Sequence, residues 1–365
     1  MKRGKNITVL LNGWGGFAGT SLIDCLKQNY EGRKVRVFCT DIKENPILQH
    51  KADGFAILPR GDSPRYLDAL IRLCRREKID VVIPGSNPEI LTIARNRDLL
   101  ASNDIHPAVS DSEMLEQVMD KGQTYEILAE SGIPVPDFYH VKTRKEFLHA
   151  IRKLGYPRNP VCFKPSSYQS SGGARGFRIL RKGNSLQKII LESKPGSAEI
   201  DHDTAMRLVE TSKDLDLLVM EYLPGNEFSV YVLADRGEML YCVANLRERI
   251  EQFYSFQAVT VDDRQVTSTC RRIVGALGLS YNVNIQLKMS SKRIPKVVEI
   301  NPRMGGSIVL PSAAGVNLPY LAVKQALGED LPRTLRPRKT RMIRYWKEMF
   351  ETNSKAFEYY RKPKT

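Results

Sequence analysis

No apolar run in the 365-residue chain approaches the roughly 20 residues that cross a bilayer, so a membrane-spanning segment is not expected. The opening Met1-Lys2-Arg3-Gly4-Lys5 before Ile7-Thr8-Val9-Leu10-Leu11 has the outline of a signal peptide, but its apolar stretch is very short and breaks at Asn12-Gly13. It reads better as a first strand. The six cysteines are scattered and form no Cys-x-x-Cys pair, which excludes a zinc ribbon or a dithiol motif and points to reduced thiols in a cytoplasmic protein. The five histidines offer no convincing Ser-His-Asp or Cys-His nucleophile. No Gly-Lys-Ser/Thr opens a helix, so a P-loop is disfavoured.

The formal charge is +15 and uneven. From Arg333 to Lys364 eleven lysines or arginines stand against three glutamates. Such a patch can attract nucleic acid, an acidic carrier protein, an anionic acceptor or a membrane surface, or it can be a solvated helix face. Trp346, Phe350 and Phe357 are spaced by four and seven, which predicts a helical tail packed on one side. No nucleic-acid-binding motif accompanies the charge, so nucleic acid is not expected as a partner.

Residues 7 to 112 alternate strand and helix signals: strands at 7–11, 35–40 and 81–84, helices at 19–28 and 66–76. This is the rhythm of an open parallel sheet. The turn Gly13-Trp14-Gly15-Gly16-Phe17-Ala18-Gly19 fits a glycine-rich strand-to-helix fingerprint, and Asp41 follows the second strand. Alone these suggest NAD; the rival is a Rossmann-like scaffold whose glycines serve a tight turn or another ligand.

Farther on, Met114 to Ser131 reads as helical and ends at Gly132. Val161-Cys162-Phe163-Lys164-Pro165 leads into the loop from Ser170 to Gly176, with Ser170, Ser171, Gly172 and Gly173 at its start, and Phe177-Arg178-Ile179-Leu180 leads out. A loop rich in backbone N–H groups can cover polyphosphate, with Lys164 supplying counter-charge. A strand ending at Glu221 crosses Tyr222-Leu223-Pro224-Gly225 and resumes at Glu227, an arrangement that can serve an adenosine.

The strongest chemistry lies in two alternating apolar runs around Ile285 and Val298, separated by the turn-like Ser290-Ser291-Lys292-Arg293. A hairpin folded about Lys292 and Arg293 sets Gln286 across from Glu299, with Asn301 on the same face. Three oxygen donors would converge there, a set suited to Mg²⁺ carried with nucleotide phosphates. Arg303 would stand beside the metal, opposite a transferring phosphoryl group.

Taken in order, these segments resemble the ATP-grasp superfamily, particularly its carboxylate-amine ligases and the synthetase halves of the carbamoyl-phosphate synthase large subunit. The resemblance covers the chain to about Gly328, with weaker support at Arg344-Tyr345-Trp346-Lys347-Glu348. It implies an α/β chain: a Rossmann-like pre-ATP-grasp domain over 1–112, an ATP-grasp domain over 113–332 whose subdomains meet near 220–221, and a basic tail over 333–365. It implies that Lys121, after Asp120 at the head of a helix, and Lys164 contact ATP phosphate under the loop from Ser170. Glu221 with Tyr222 and Leu223 would take the adenine and Glu227 the ribose; Gln286, Glu299 and Asn301 would hold Mg²⁺ or Mn²⁺. Arg303 and Lys164 take the catalytic roles.

The implied reaction joins a small carboxylate, through an acyl phosphate, to an amine. Alternatives are a bicarbonate-phosphorylating half-enzyme and amino-acid loading onto an acidic carrier docked by the tail; a homodimer stays open. Arg247 and Arg249 precede the hairpin where substrate-side residues can lie, with surface pairing to Glu248 and Glu251 as the rival. Gly305 and Gly306 could bring backbone donors to the acyl group or simply make a turn. Gln252 to Gln257 is aromatic where many relatives are glycine-rich.

Overall fold

The computed structural model describes residues 6–16, 18–166, 176–183, 198–251, 254–352 and 355–358. Ser170, Ser171, Gly172 and Gly173, expected to cover the phosphates, lie outside the described residues, as do 252–253.

The first sheet contains β1 (Ile7–Asn12), β2 (Val35–Asp41), β3 (Gly54–Ile57), β4 (Val81–Pro84) and β5 (His106–Pro107), parallel throughout in the order β3-β2-β1-β4-β5. Its central strands are largely buried on both faces, which is why they read as predominantly apolar. Helices Gly19–Lys27 and Tyr66–Glu77 form as expected.

The expected helix over 114–131 is instead two, Ser112–Met119 and Lys121–Glu130. Asp120 interrupts them in an extended conformation, and its carboxylate caps the second by accepting from the Gln123 N–H at 2.9 Å. This cap places Lys121 at the head of a helix.

A second sheet joins β6 (Phe138–Val141), β7 (Val161–Pro165), β8 (Arg178–Leu180), β9 (Glu199–Ile200) and β10 (Leu217–Glu221) in the order β6-β10-β7-β8-β9. The third is antiparallel: β11 (Glu227–Asp235), β12 (Glu238–Glu251), β13 (Tyr254–Val261), β14 (Tyr281–Met289), β15 (Pro295–Asn301) and β16 (Arg341–Ile343), ordered β15-β14-β11-β12-β13-β16. One face of this sheet packs Val230, Val232, Ile285 and Leu287 with Val266, Cys270 and Ile273 of helix Arg264–Ala276. The other face changes character along the strands. Tyr231, Leu233 and Val243 join a core shared with Trp14 and Leu22 of the N-terminal unit. Beyond them the same face carries Ser229 and Glu227, Asn284 and Gln286, Asn301 and Glu299, because directly paired residues of an antiparallel ladder share a side.

The tail departs from expectation. Among its described residues it is strand, not helix: β16 completes the third sheet, and β17 (Phe350–Thr352) pairs with β18 (Lys355–Phe357). The seven-residue spacing of Phe350 and Phe357 is that of a cross-strand pair, their rings stacked 5.7 Å apart, and Trp346 remains 71% exposed beside Phe256. The open edge of β13 overrides the local helical pattern. All six cysteines are free thiols. Among the described residues no helix is long and apolar enough to cross a membrane.

Candidate functional site

The hairpin of β14 and β15 pairs Gln286 with Glu299 and Asn284 with Asn301, so the three expected oxygen donors share one face. The register is not uniform: Leu287 pairs with Val297, leaving Val298 as an extra residue in a bulge. The Val298 carbonyl accepts from the Tyr125 hydroxyl at 2.8 Å and from Lys164 Nζ at 2.8 Å. The bulge thereby ties the hairpin to β7. Glu299 accepts from Asn301 Nδ2 at 3.2 Å, and Arg303 Nη2 donates to Asn301 Oδ1 at 3.4 Å, which sets carboxylate, amide and guanidinium in sequence.

Lys164 is only 6% exposed, and burial pushes its ammonium down to about 8, against the pull of Glu299 and with a further push from Lys121. Burial also lowers Lys121, opposed by Glu299 and Asp120, and lowers Arg303, opposed by Glu299. Among the described residues none of these three cations forms an ion pair within salt-bridge distance. Three desolvated positive charges around one carboxylate are an electrostatic deficit that a polyanion would relieve.

Next to them opens a cavity of about 290 Å³. Cys162, Phe177, Ile179, Met220, Leu223 and Ile250 make its apolar walls; Lys164, Glu227, Gln286, Lys288 and Glu299 stand among its polar lining. The Glu221 carboxylate pairs with Lys296 and accepts from the Asp137 N–H at 3.0 Å. Glu227 pairs with Arg247 and lies 3.9 Å from Lys288, whose ammonium sits 5.5 Å from the Tyr222 ring centre.

The two arginines expected on the substrate side part company. Arg247 lines the cavity, bound to Glu227 and donating to Ser255 Oγ at 2.8 Å. Arg249 is at the surface, paired with Glu251 and 6.0 Å from the Phe256 ring centre, as the rival reading had it. Gly305 presses close to the sheet, where a Cβ would lie 2.7 Å from the Asn284 side chain and 3.1 Å from the Tyr231 ring, whereas one on Gly306 would only touch Tyr254 at 3.6 Å. The Ser307 N–H donates to the Tyr231 hydroxyl at 2.9 Å.

Two side chains here escaped sequence reasoning. Tyr125, one helical turn after Lys121, meets both Lys164 and Val298. Arg344 enters from the end of β16, donating through Nε to the Ser255 carbonyl at 2.9 Å and through Nη2 to the Gly306 carbonyl at 2.6 Å. Burial lowers it too, opposed by Tyr231 and Tyr254, the same phenols that act on Arg303. Its only sequence signal was a place in the Arg344-Tyr345-Trp346 run.

In the N-terminal unit the glycine-rich turn meets carboxylates of its own chain. A Cβ on Gly15 would lie 1.7 Å from Asp41 Oδ2, and one on Gly13 would lie 2.0 Å from Glu89 Oε2. Acids at both glycines make this a poor seat for a pyrophosphate, which favours the scaffold reading over the dinucleotide one.

Two family models match separate parts of the chain. A family model described as "ATP-grasp in the biosynthetic pathway with Ter operon" matches residues 213–349, and "PylC-like, N-terminal domain" matches residues 15–109. The chain carries an ATP-grasp domain. The carbamoyl phosphate synthase large chain of Clostridium acetobutylicum is 24% identical over 280 residues, 73% of this chain and 24% of that protein. The chain thus spans about a quarter of the length of the curated relatives it matches. The likeness in fold extends beyond the sequence match. N5-carboxyaminoimidazole synthetase from Staphylococcus aureus, complexed with ADP, superposes with a TM-score of 0.66 at 18% identity, over 92% of this chain and 82% of that one. An L-amino acid ligase from Bacillus licheniformis gives 0.59 at 17% identity, over 90% and 78%.

Proposed function

We propose that the protein is an ATP- and Mg²⁺-dependent ligase that phosphorylates a small carboxylate and joins it to an amine. The observation carrying this reading is the group of desolvated Lys121, Lys164 and Arg303, without salt-bridge partners among the described residues, around Glu299 and beside a cavity with apolar walls. An adenine suits those walls, read by the backbone of Glu221 to Leu223 because the Glu221 carboxylate is engaged elsewhere. Glu227, steadied by Arg247, would hold the ribose. Lys121 and Lys164 would neutralise the phosphates, and Arg303 the charge developing on the transferred phosphoryl group.

The donor set fits a metal that arrives with the nucleotide: one carboxylate and two amide oxygens suit Mg²⁺ or Mn²⁺ sharing phosphate ligands. Mg²⁺ there would supply charge neutralisation and orient the phosphates. Glu299, Asn301 and Gln286 would hold it, and the donors around Gly305 to Ser307 would position the acid for in-line attack. The resulting acyl phosphate reacts with an amine, releasing phosphate.

The named relatives support two variants. Likeness to an amino acid ligase favours an amino-acid substrate, and likeness to carbamoyl phosphate synthase keeps bicarbonate as a competing acid. Exposed Tyr345 and Trp346 on the basic tail suit a carrier-borne acceptor. Because the tail also carries β16 and Arg344, docking is tested by substituting Lys339 and Trp346 and not by deleting the tail.

The experiment is phosphate release from Mg-ATP by the purified protein with pooled carboxylates, amino acids, amines and bicarbonate. Release needing both an acid and an amine supports the ligase; release with bicarbonate alone favours the half-enzyme. Glu299→Ala should lower turnover by about a thousandfold or more without unfolding the protein. Full activity in that variant would sink the site assignment.

A further inference from the structure

Four desolvated cations reach the polar face of the third sheet, Lys164 buried and Lys121, Arg303 and Arg344 half-buried. On the ligase reading, the triphosphate engages both lysines and the transferring phosphoryl group engages Arg303. Arg344 is left over. Its Nε and Nη2 are pinned by the Ser255 and Gly306 carbonyls, with Ser307 Oγ at 3.3 Å, so the guanidinium cannot swing to solvent without losing these bonds. Among the described residues Nη1 has no protein partner and the side chain forms no ion pair. A guanidinium held in place by carbonyls and facing no carboxylate is organised for an anion from outside.

Two neighbours on the same face strengthen the case. The Tyr231 hydroxyl accepts from Ser307 N–H, and among the described residues its own proton goes to no protein acceptor. Asn245, across from Ser229 and 1% exposed, has neither amide atom hydrogen-bonded among the described residues. A cation and a phenol joined through Ser307, and an amide farther along, are thus offered on one face of the sheet.

We propose that Arg344 binds a second anionic group of the acid substrate, distinct from the carboxylate that is phosphorylated, so that the substrate is a small dianionic acid. The proposal rests on the ligase reading for which carboxylate reacts. It gives the tail a role other than docking, because β16 delivers the residue that selects the substrate. A dicarboxylate and a phosphorylated carboxylate share the required chemistry.

The test is isothermal titration of the full-length protein, loaded with Mg²⁺ and a non-hydrolysable ATP analogue, with acetate, succinate and phosphoglycolate. Succinate or phosphoglycolate should bind on the order of thirtyfold more tightly than acetate, and whichever is tighter identifies the second group. Arg344→Gln should erase the advantage and Arg344→Lys restore part of it. Arg341→Gln, on the same strand but exposed and paired with Glu248, should bind like the unmodified protein. Equal binding of the three acids, or none, overturns the proposal, as does a preference that survives Arg344→Gln. The readout is binding, so it separates from the ligase reading. Tight dianion binding with no phosphate release for any acid and amine would keep the subsite and discard the ligase, whereas release driven only by monocarboxylates would do the reverse.

Discussion

The N-terminal parallel sheet and the six-stranded antiparallel sheet both bury polar side chains, and they treat them in opposite ways. In the first, Asn12 Nδ2 donates to the Tyr66 hydroxyl at 2.6 Å, Thr40 Oγ1 donates to Asn12 Oδ1 at 2.8 Å, and Trp14 Nε1 donates to the Ile83 carbonyl at 3.0 Å. Glu89 closes a capping box with Ser86. These groups satisfy one another. On the polar face of the second, Lys164, reaching across from β7, and Arg344 meet only carbonyls and hydroxyls among the described residues, and both amide atoms of Asn245 lack a partner there. A closed hydrogen-bond network stabilises a fold; buried cations without anions mark a place where a ligand completes the network.

The contrast is tested most severely at Lys164. Lys164→Met should lower nucleotide affinity by roughly a hundredfold, since a buried ammonium facing phosphates is lost, while stability rises or holds because its desolvation cost is removed. The pH dependence has a definite sign. In the nucleotide-free protein the ammonium is held near 8, below its ordinary 10.5, so between those values the unfolded chain binds more protons and folding stability grows with pH. Nucleotide binding needs the charged form and should weaken over the same interval. Thermal unfolding and nucleotide titration from pH 7 to 10 would check both slopes, and Lys164→Met should flatten them apart from the residue left by Lys121, also lowered by burial.

The complementary change is Asn12→Ala. It strips two buried hydrogen bonds from a satisfied network and should destabilise the protein by about 2 kcal/mol, with KM values for ATP and acid unchanged. Chemical denaturation alongside steady-state kinetics is the measurement. A kinetic defect without loss of stability would erase the distinction between the sheets.

The sheets also differ in how far the chain announces them. β1, β2 and β4 were legible because strands buried on both faces are predominantly apolar. Gln286 and Glu299 were legible because a period-two pattern fixes which side chains share a face. The bulge at Val298 was not, since it depends on Lys164 and Tyr125 capturing a carbonyl from a distant part of the chain. Helical propensity hid the break at Asp120, although the implied placement of Lys121 at a helix head was right. The position of Arg344 beside the site was hidden for the same reason as the bulge: pairing of β16 with β13 joins segments some eighty residues apart.

A smaller effect sharpens the metal side. Gln286 supplies an amide where a second carboxylate would bind a free cation more strongly, so Gln286→Glu should tighten Mn²⁺ binding without nucleotide by about tenfold. Electron paramagnetic resonance titration of free Mn²⁺ would show it, and no change would mean that this side chain does not face the metal.

The smallest change returns to the glycine turn. Gly15→Ala puts a methyl 1.7 Å from Asp41 Oδ2, but the obstacle is the end of a side chain, which can rotate. The expected cost is under about 1 kcal/mol, with nucleotide affinity unaltered. A glycine packed against a phosphate could not accept that methyl so cheaply, so a large loss of nucleotide binding in this variant would transfer the ligand-completed network to the parallel sheet and reverse the comparison.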